Sequence, residues 1–241
     1  MTTDETLSAA VDQVHAAVSA LVEDIFSALD RIAAGTTTLW DQLQGGGTTP
    51  RAADLDGLRD VVIAELHRFG PMFNGAGVVV DDDVLADRST YLEWWRPDPA
   101  TGSPQRLQLD LNPQSEYFYD YLTMEWFTGP RDHDRRWVYG PYLDFTGVDL
   151  YVCTFSVPVR AHGDTFVGVA GADVPVVSID AAVMPAFRQG GRPLALVNAE
   201  GRVIVANHPD HLTGSRLRAK EATHTRAIPG TPWALVAVGT D

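Results

Sequence analysis

The strongest constraint on the fold is a change in the spacing of apolar residues near Gly70-Pro71. Before this point apolar residues recur at steps of three and four, which is the period of an α-helix with one buried face. The spacing predicts a helix over Thr3–Ala34, ended by Gly35 and three threonines, and a second helix over Ala53–Arg68. The apolar positions of the first helix are Val11, Val14, Val18, Leu21, Ile25, Leu29 and Ile32.

After this point the apolar residues form short runs or alternate with polar ones, as they do in β-strands. Two hairpins are predicted to turn at His162–Asp164 and at Asn198–Gly201, with a helix over Ser178–Gly190 between them. The polar run Pro130–Arg136 is predicted to be a solvated turn. Helices followed by antiparallel strands predict an α+β chain. The predicted strand segments are Gly77–Val80, Tyr91–Arg96, Arg106–Leu111, Val152–Val159, Phe166–Val174, the hairpin Leu194–Ala206 and Trp233–Val238.

The charge of the chain bears on its partners and its location. A formal net charge of -14 repels nucleic acids and anionic membranes, so neither is expected to bind. The N-terminus has acidic residues where a secretion signal has basic ones, and no apolar run approaches the roughly 20 residues that span a bilayer. These features predict a cytoplasmic protein without membrane insertion. A sequence trimmed of its membrane segments would show the same pattern.

Motifs of the common enzyme classes do not occur in the sequence. There is no Gly-x-Ser-x-Gly, P-loop or His-Glu-x-x-His motif. The single cysteine, Cys153, lies in an apolar strand, where a thiol is expected to be buried and inert. His133 stands between two aspartates, but no further histidine or cysteine group lies at metal-binding spacing from it. The sequence therefore predicts a protein that is not an enzyme and that needs no cofactor and no metal.

The segment Tyr117–Asp173 combines many aromatic residues with several carboxylates. Tyrosine and tryptophan offer an apolar ring with a hydrogen-bonding group, so a cluster of them around carboxylates suits a small cationic ligand. The alternative is an aromatic core closed by aspartates that are only structural. Asp144 and Asp173 could also act as an acid–base pair, but the aromatic lining suits cation binding better.

Three motifs in this segment resemble the double Cache (dCache) sensor domains of bacterial chemoreceptors and sensor kinases. They are Gly140-Pro-Tyr-Leu-Asp144, Thr154-Phe-Ser-Val-Pro-Val159 and Gly168-Val-Ala-Gly-Ala-Asp-Val174. The resemblance implies a long first helix followed by two PAS-like modules with antiparallel sheets. It divides the chain into an N-terminal helical segment, residues 1–70, a larger ligand-binding module, residues 71–185, and a smaller module, residues 186–241.

The resemblance also implies the ligand-binding residues. In amino-acid-binding members, a tyrosine, an arginine and a Trp-Tyr pair hold the ligand carboxylate, whereas a Tyr-x-Asp motif and a later aspartate hold its ammonium. The corresponding residues here are Tyr119, Met124, Trp126 and Phe127 for the carboxylate, and Tyr142, Asp144 and Asp173 for the ammonium. Met124 replaces the arginine and cannot pair with an anion. The implied ligand is therefore an amine, such as a polyamine, a biogenic amine or ethanolamine, and Glu93 and Glu125 are candidates to hold a second ammonium.

Two alternatives stay open at this point. Arg96 or Arg136 could supply the missing carboxylate clamp from another direction, and the ligand would then be an amino acid such as GABA. Otherwise the chain is a structural dimerisation module without a ligand, in which the first helix forms the seam of a homodimer. A sensor would pass its signal to a partner protein or through a change in such a dimer. Trp94 and Trp95 point to opposite faces of their strand, so at most one of them faces the site.

Overall fold

A computed structural model of the chain describes residues 3–144, 150–161, 163–218 and 221–239. The chain divides into two compact units. We call Met1–Ile25, Val138–Cys153 and Pro175–Asp241 the small-sheet unit, and Phe26–Trp137 with Thr154–Val174 the large-sheet unit.

The first helix, α1, spans Thr3–Gly45 and extends well past the predicted end at Ala34. Gly35 does not end the helix, because it packs against a valine of the next helix and the threonines after it are bonded inside the helix. The hydroxyls of Thr36 and Thr38 each donate to the carbonyl oxygen four residues earlier, at 2.8 Å. Within the described residues, no helix, α1 included, is long and apolar enough to cross a membrane.

The apolar stripe of α1 is buried within the single chain. Val14, Val18, Ile25 and Leu29 are each 0% exposed. A coiled-coil seam needs apolar positions that are free to meet a second chain. The prediction that this stripe forms the seam of a homodimer is therefore wrong for these residues.

The second helical segment begins as a 3₁₀ helix, Ala52–Leu58, and continues as α2, Arg59–Phe69. Both lie close to the predicted range Ala53–Arg68, and that prediction is confirmed. Arg31 of α1 donates two hydrogen bonds to the buried carboxylate of Glu65 on α2, at 2.6 and 2.8 Å. This bidentate pair fixes one helix against the other inside the large-sheet unit.

A third helix, α3, spans Glu125–His133, so the first four residues of the predicted turn Pro130–Arg136 are helical instead. Proline has no N–H, which leaves the carbonyl oxygen of Trp126, four residues earlier, without its helical donor. The hydroxyl of Ser156 donates to this oxygen instead, at 2.6 Å. The helix is capped by Asp134, whose φ of 48° is left-handed.

The large sheet has six strands. They are β1 (Gly75–Val80), β2 (Leu92–Pro97), β3 (Pro104–Arg106), β4 (Trp137–Asp144), β5 (Leu150–Ala161) and β6 (Thr165–Pro175). Their order in the sheet is β3-β2-β1-β6-β5-β4. β1 is antiparallel to both of its neighbours, β2 and β6. The order confirms that the predicted strands β5 and β6 are adjacent.

The predicted strand Arg106–Leu111 is wrong beyond its start, because β3 ends at the first residue of this range. Leu107 still donates its N–H to the carbonyl oxygen of Trp94, at 2.8 Å. Further along, the carboxylate of Asp110 accepts the N–H of Asn112 at 2.9 Å and closes an Asx turn. Side-chain to backbone bonding thus replaces strand pairing, although the apolar alternation continues.

The small sheet follows a helix, α4 (Val176–Gln189), whose prediction is confirmed. Its strands are β7 (Leu194–Val197), β8 (Val203–Ala206), β9 (Ala222–Ala227) and β10 (Ala234–Val238). Their order is β8-β7-β10-β9. The β7–β8 hairpin and the last strand confirm the sequence predictions. β9 was not predicted, because this edge strand is polar and mostly exposed and lacks an apolar alternation.

Candidate ligand-binding site

One face of the large sheet holds Asp173, the last of the predicted ligand residues. Directly paired residues on neighbouring strands point to the same face of a sheet. The pairs are Asp173 with Gly75, Gly171 with Gly77, and Gly77 with Trp94. We call the side of the sheet that these five residues share the Asp173 face.

The glycines of the Asp173 face make room for the indole of Trp94. A Cβ atom added to Gly75 would lie 2.5 Å from Nε1 of Trp94, and one added to Gly171 would lie 3.4 Å from its six-membered ring. The indole therefore lies directly over both glycines, and it is 5% exposed. Trp95, the next residue, donates to Glu93 on the other face. The prediction that Trp94 and Trp95 point to opposite faces of their strand is confirmed.

The carboxylate of Asp173 has a partner that sequence reasoning missed. The hydroxyl of Thr154 on β5 donates to Oδ1 of Asp173 at 2.7 Å. Thr154 is 2% exposed, whereas Asp173 is half-buried. The hydrogen bond orients the carboxylate. The sequence signal for Thr154 was its place two residues before Ser156, on the same side of an otherwise apolar strand.

The predicted residues of α3 are part of an aromatic cluster. Trp126 is 6% exposed and Phe127 is 0% exposed. The ring of Phe127 lies 5.3 Å from that of Tyr121 and 6.0 Å from that of Phe166, with edge-to-face geometry. Because Ser156 shares its strand face with Thr154, the bond from Ser156 to the carbonyl of Trp126 places this end of α3 on the Asp173 face.

Tyr119 and Met124 lie before and at the start of α3. Tyr119 is half-buried, and its N–H donates to the carbonyl oxygen of Asp110 at 2.8 Å. Met124 occupies the N-cap position and is 37% exposed. Its carbonyl oxygen accepts the N–H groups of Phe127 and Thr128, both at 2.9 Å. The Met124 side chain thus brings no charge to the position where the resemblance expects an arginine.

Tyr142 and Asp144 lie on β4 in the small-sheet unit, whereas the other five predicted ligand residues belong to the large-sheet unit. The ring of Tyr142 is 5.2 Å from that of Tyr139. Between them Gly140 has a φ of 119°, and its carbonyl oxygen accepts a hydrogen bond from Asn198 at 3.0 Å. Such a φ favours glycine, and this explains the glycine of the motif, which lies within β4.

Glu93 cannot hold an ammonium group on the Asp173 face, so that prediction is wrong. Glu93 lies on the opposite face and is 0% exposed. Its carboxylate accepts hydrogen bonds from the Tyr91 hydroxyl at 3.1 Å and from Trp95 Nε1 at 2.6 Å, and it pairs with Arg106 at 2.6 Å. Burial raises the pKa of Glu93 to about 7, while the N–H of Trp95 and the guanidinium of Arg106 favour the ionised form. Glu125 accepts the indole N–H of Trp137 at 3.2 Å.

The two arginines proposed as a replacement clamp differ in their surroundings. The guanidinium of Arg136 lies 4.7 Å over the ring of Phe26, which packs on Phe155 at 5.3 Å. Phe155 alternates with Thr154 on β5 and therefore points away from the Asp173 face. Arg96 follows Trp94 by two residues on β2 and points to the Asp173 face. Of the two, only Arg96 is placed to meet a ligand bound there.

Neither a metal-binding cluster nor an exposed thiol occurs among the described residues. Among the described residues there is no group of three or more histidine, cysteine, aspartate or glutamate side chains that could hold a metal ion. His133 stacks on the indole of Trp137 with ring centres 5.3 Å apart. Cys153 is fully buried, as predicted, and burial raises the pKa of its thiol.

Comparison with known proteins supports the fold. Residues 103–181 match the family model of the first PDC sensor domain of methyl-accepting chemotaxis protein-like receptors. A search of curated protein sequences finds no significant match. The fold, two antiparallel sheets after a long helix, is consistent with that of double Cache sensor domains, and residues 103–181 are similar to a PDC sensor domain.

Three solved chemoreceptor domains illustrate the likeness. The ligand-binding domain of Pseudomonas fluorescens CtaA, in complex with L-valine, has a TM-score of 0.64 and 15% identity, and the match covers 99% of this chain and 98% of that chain. The ligand-binding domain of Campylobacter jejuni Tlp3, in complex with 4-methylisoleucine, has a TM-score of 0.62 and 13% identity, and the match covers 99% of this chain and 93% of that chain. The ligand-binding domain of Pseudomonas aeruginosa PAO1 PctC, in complex with GABA, has a TM-score of 0.57 and 18% identity, and the match covers 99% of this chain and 100% of that chain.

Proposed function

We propose that this chain is a sensory module without enzymatic activity and that it binds a small ligand through a primary ammonium group at Asp173. The supporting observation is the half-buried carboxylate of Asp173, oriented by Thr154 at 2.7 Å on a face where glycines replace side chains. A primary ammonium donates three hydrogen bonds and carries the charge that a carboxylate pairs with. The neighbouring indole of Trp94 adds a cation–π surface.

The uncharged side chain of Met124 favours ligands without a carboxylate. Such ligands are polyamines, biogenic amines and ethanolamine. A carboxylate placed near a thioether would lose its hydration without gaining a charged partner. Contacts of the ligand with the remaining predicted residues stay predictions, and these residues are Tyr119, Trp126, Phe127, Tyr142 and Asp144.

A second candidate ligand is an amino acid, GABA included. The observation that favours it is Arg96, whose Nε atom is buried without a hydrogen-bond partner among the described residues. The similar chemoreceptor domains bound to L-valine and GABA share the fold of this chain. An arginine on the same sheet face as Asp173 would restore a carboxylate contact that Met124 does not provide.

Signal output requires a further component in this proposal. The larger module, residues 71–185, would close on its ligand. This change would be passed to a partner protein or to a second copy of the chain. Because the apolar stripe of α1 is buried, a homodimer would have to use other residues of this helix.

A thermal-shift screen tests the proposed function. The full chain is heated with amines that lack a carboxylate, with amino acids and with simple carboxylates. Ligand at a hundred times its dissociation constant stabilises a protein by about 2.7 kcal/mol, which raises Tm by roughly 5–10 °C in a chain of this size. We expect a rise with at least one ammonium compound and none with simple carboxylates.

The Asp173→Asn variant shows whether the rise comes from this site. The amide keeps the shape but loses the charge, so the ligand-induced rise should disappear while the fold persists. Asp60→Asn, which removes an exposed carboxylate from α2, is the matched control and should keep the rise. A full rise in Asp173→Asn, or no rise with any ammonium compound in the native chain, would contradict the proposal.

A further inference from the structure

A groove at the β3 edge of the large sheet lies apart from the Asp173 face. Its volume is about 710 Å³, and it lies between the 3₁₀ helix Ala52–Leu58, residues 87–92 and residues 106–112. All of these residues belong to the large-sheet unit. In the described structure, none of the five residues that define the Asp173 face lines the groove. The groove is therefore a second candidate site.

Two arginines are gathered at the ring of Tyr91, which lines the groove. The guanidinium carbons of Arg106 and Arg88 lie 5.1 and 5.9 Å from the centre of this ring. Tyr91 is buried, and its hydroxyl donates to Glu93, so the ring is held in place. Two like charges near one ring repel each other, and an anion that contacts both removes this repulsion.

Arg106 has one partner that a ligand can replace. Its Nη2 atom lies 2.6 Å from the buried carboxylate of Glu93, and its Nη1 atom lies 3.3 Å from the carboxylate of Asp56. The side chain of Asp56 is 66% exposed, and an ion pair with so exposed a carboxylate is weak. An anion in the groove can therefore take the place of Asp56 at Nη1.

Arg88 has no comparable partner. Its side chain is exposed, and no hydrogen bond or ion pair joins it to another residue of the described structure. The neighbouring Asp87 does not neutralise it, because its carboxylate accepts the N–H of Ala52 at 2.9 Å and lies 4.0 Å from the guanidinium of Arg51. The N–H groups of Arg88 are thus available to an acceptor from outside the chain.

Three leucines give the groove an apolar wall. Leu107, Leu109 and Leu111 line it, and each of them is only partly buried in the described structure. A ligand that covers them gains about 25 cal/mol for each Å² of apolar surface removed from water. The groove thus suits a ligand that carries an apolar body next to an anionic group.

We propose that this groove binds an organic phosphate monoester, with the phosphate between Arg88 and Arg106 and the apolar body against Tyr91 and the leucines. A phosphate monoester carries about 1.5 to 2 negative charges at neutral pH and has three acceptor oxygens. It therefore matches two guanidinium groups better than a carboxylate with a single charge. The site is independent of the ammonium site at Asp173 and gives the chain a second ligand.

Phenyl phosphate and its two fragments test this inference. Calorimetric titration of the full chain compares phenyl phosphate with inorganic phosphate, which lacks the apolar body, and with phenol, which lacks the charge. We expect phenyl phosphate to bind tenfold or more tightly than either fragment. Arg88→Gln should weaken phenyl phosphate binding about tenfold, because it removes a charged donor. Asp56→Asn should strengthen it about threefold, because it removes the anion that competes for Arg106.

Two further variants serve as controls. Arg68→Gln removes an exposed arginine from the last turn of α2 and should leave the affinity for phenyl phosphate unchanged. Asp173→Asn should also leave it unchanged, so that failure of the ammonium site is not mistaken for failure of the groove.

Each outcome decides the inference. Weaker binding in Arg88→Gln together with stronger binding in Asp56→Asn supports it. It is overturned if phenyl phosphate does not bind, if either fragment binds as tightly, or if Arg88→Gln behaves like Arg68→Gln. An unchanged affinity in Asp56→Asn contradicts the contact with Arg106, and loss of binding in Asp173→Asn would assign the phosphate to the other face. The thermal shift with ammonium compounds is unaffected in all of these cases except the last.

Discussion

The two faces of β2 hold their charged groups in opposite ways. On one face Glu93 is completely buried, and its carboxylate is bonded by Tyr91, Trp95 and Arg106 at distances from 2.6 to 3.1 Å. On the other face Arg96 keeps a buried Nε atom without a partner in the described structure. The chain's own residues satisfy the carboxylate on the first face, whereas the Nε donor on the second face has no acceptor among the described residues.

Under the proposed function, this difference separates a structural ion pair from a residue that serves the ligand. A buried charge with all of its partners present adds specificity to the fold at little net gain in stability. A buried donor without an acceptor lowers stability. The following substitutions test this contrast between the Glu93 face and the Asp173 face.

The largest effect is expected from Arg106→Leu. It removes the guanidinium that is 2.6 Å from the Glu93 carboxylate and leaves a buried negative charge without its cation. Breaking a buried pair in this way costs about 3–5 kcal/mol. Chemical denaturation should show this loss, while the affinity for an ammonium ligand per folded molecule stays close to that of the native chain.

Arg59→Leu is the matched control for this loss. The Arg59 guanidinium lies 5.3 Å over the ring of Trp95, which is on the same face, but it has no buried carboxylate partner. We expect a cost below about 1 kcal/mol. If both variants lost the same free energy of unfolding, the ion pair of Arg106 with Glu93 would contribute no more to stability than the contact of Arg59 with Trp95.

The second prediction concerns the pH dependence of stability. Burial raises the pKa of Glu93 from 4.5 in the unfolded chain to about 7 in the folded chain. The folded state therefore binds the proton more tightly, and the stabilisation is complete below about pH 4.5 and is lost as the pH rises through about 7. Relative to Glu93→Gln, the native chain should lose about 2–3 kcal/mol over this range. Denaturant melts of both proteins at several pH values measure the difference, and a gain with rising pH would mean that the Arg106 guanidinium outweighs burial.

The third prediction concerns the glycines under Trp94. In Gly75→Ala the new Cβ would lie 2.5 Å from Nε1 of Trp94, so the indole must move. Overpacking of this kind costs about 1–3 kcal/mol, and the tilted indole should also weaken ligand binding. Tryptophan fluorescence and titration report the two effects. Gly45→Ala, whose Cβ meets nothing within 4 Å, is the control and should leave ligand affinity unchanged.

Sequence patterns predicted the fold well where one rule decided the outcome. Strand alternation assigned Trp94 and Trp95 to opposite faces, and the motifs that resemble double Cache domains gave the two sheets in the correct order. The patterns failed where a side chain replaced a backbone partner. Thr36 and Thr38 continue α1 past Gly35 by bonding back into the helix, and their hydroxyls could equally have ended it.

The candidate site was harder to predict, because it depends on which residues pair between strands and on how many hydrogen-bond partners each side chain has. The sequence contained both Arg96 and Glu93 as acceptable candidates for a ligand contact. Only the strand pairing shows that Glu93 is on the closed face and that Arg96 is on the face of Asp173. The hydrogen bond from Thr154 to Asp173 joins residues on separate strands, so no local motif could indicate it.

The smallest expected effect has the opposite sign to the others. Arg96→Met keeps a long side chain on β2 but removes the buried Nε donor that lacks an acceptor among the described residues. An unsatisfied buried polar group costs about 1–3 kcal/mol, so the free protein should gain roughly 1 kcal/mol and melt about 2–4 °C higher. The same variant should bind its amino-acid ligand less tightly. Exposed Arg68→Met should change neither quantity. If Arg96 serves ligand binding, its loss should raise stability and lower affinity together. A less stable Arg96→Met variant would instead show that Arg96, like Arg106, is a structural cation.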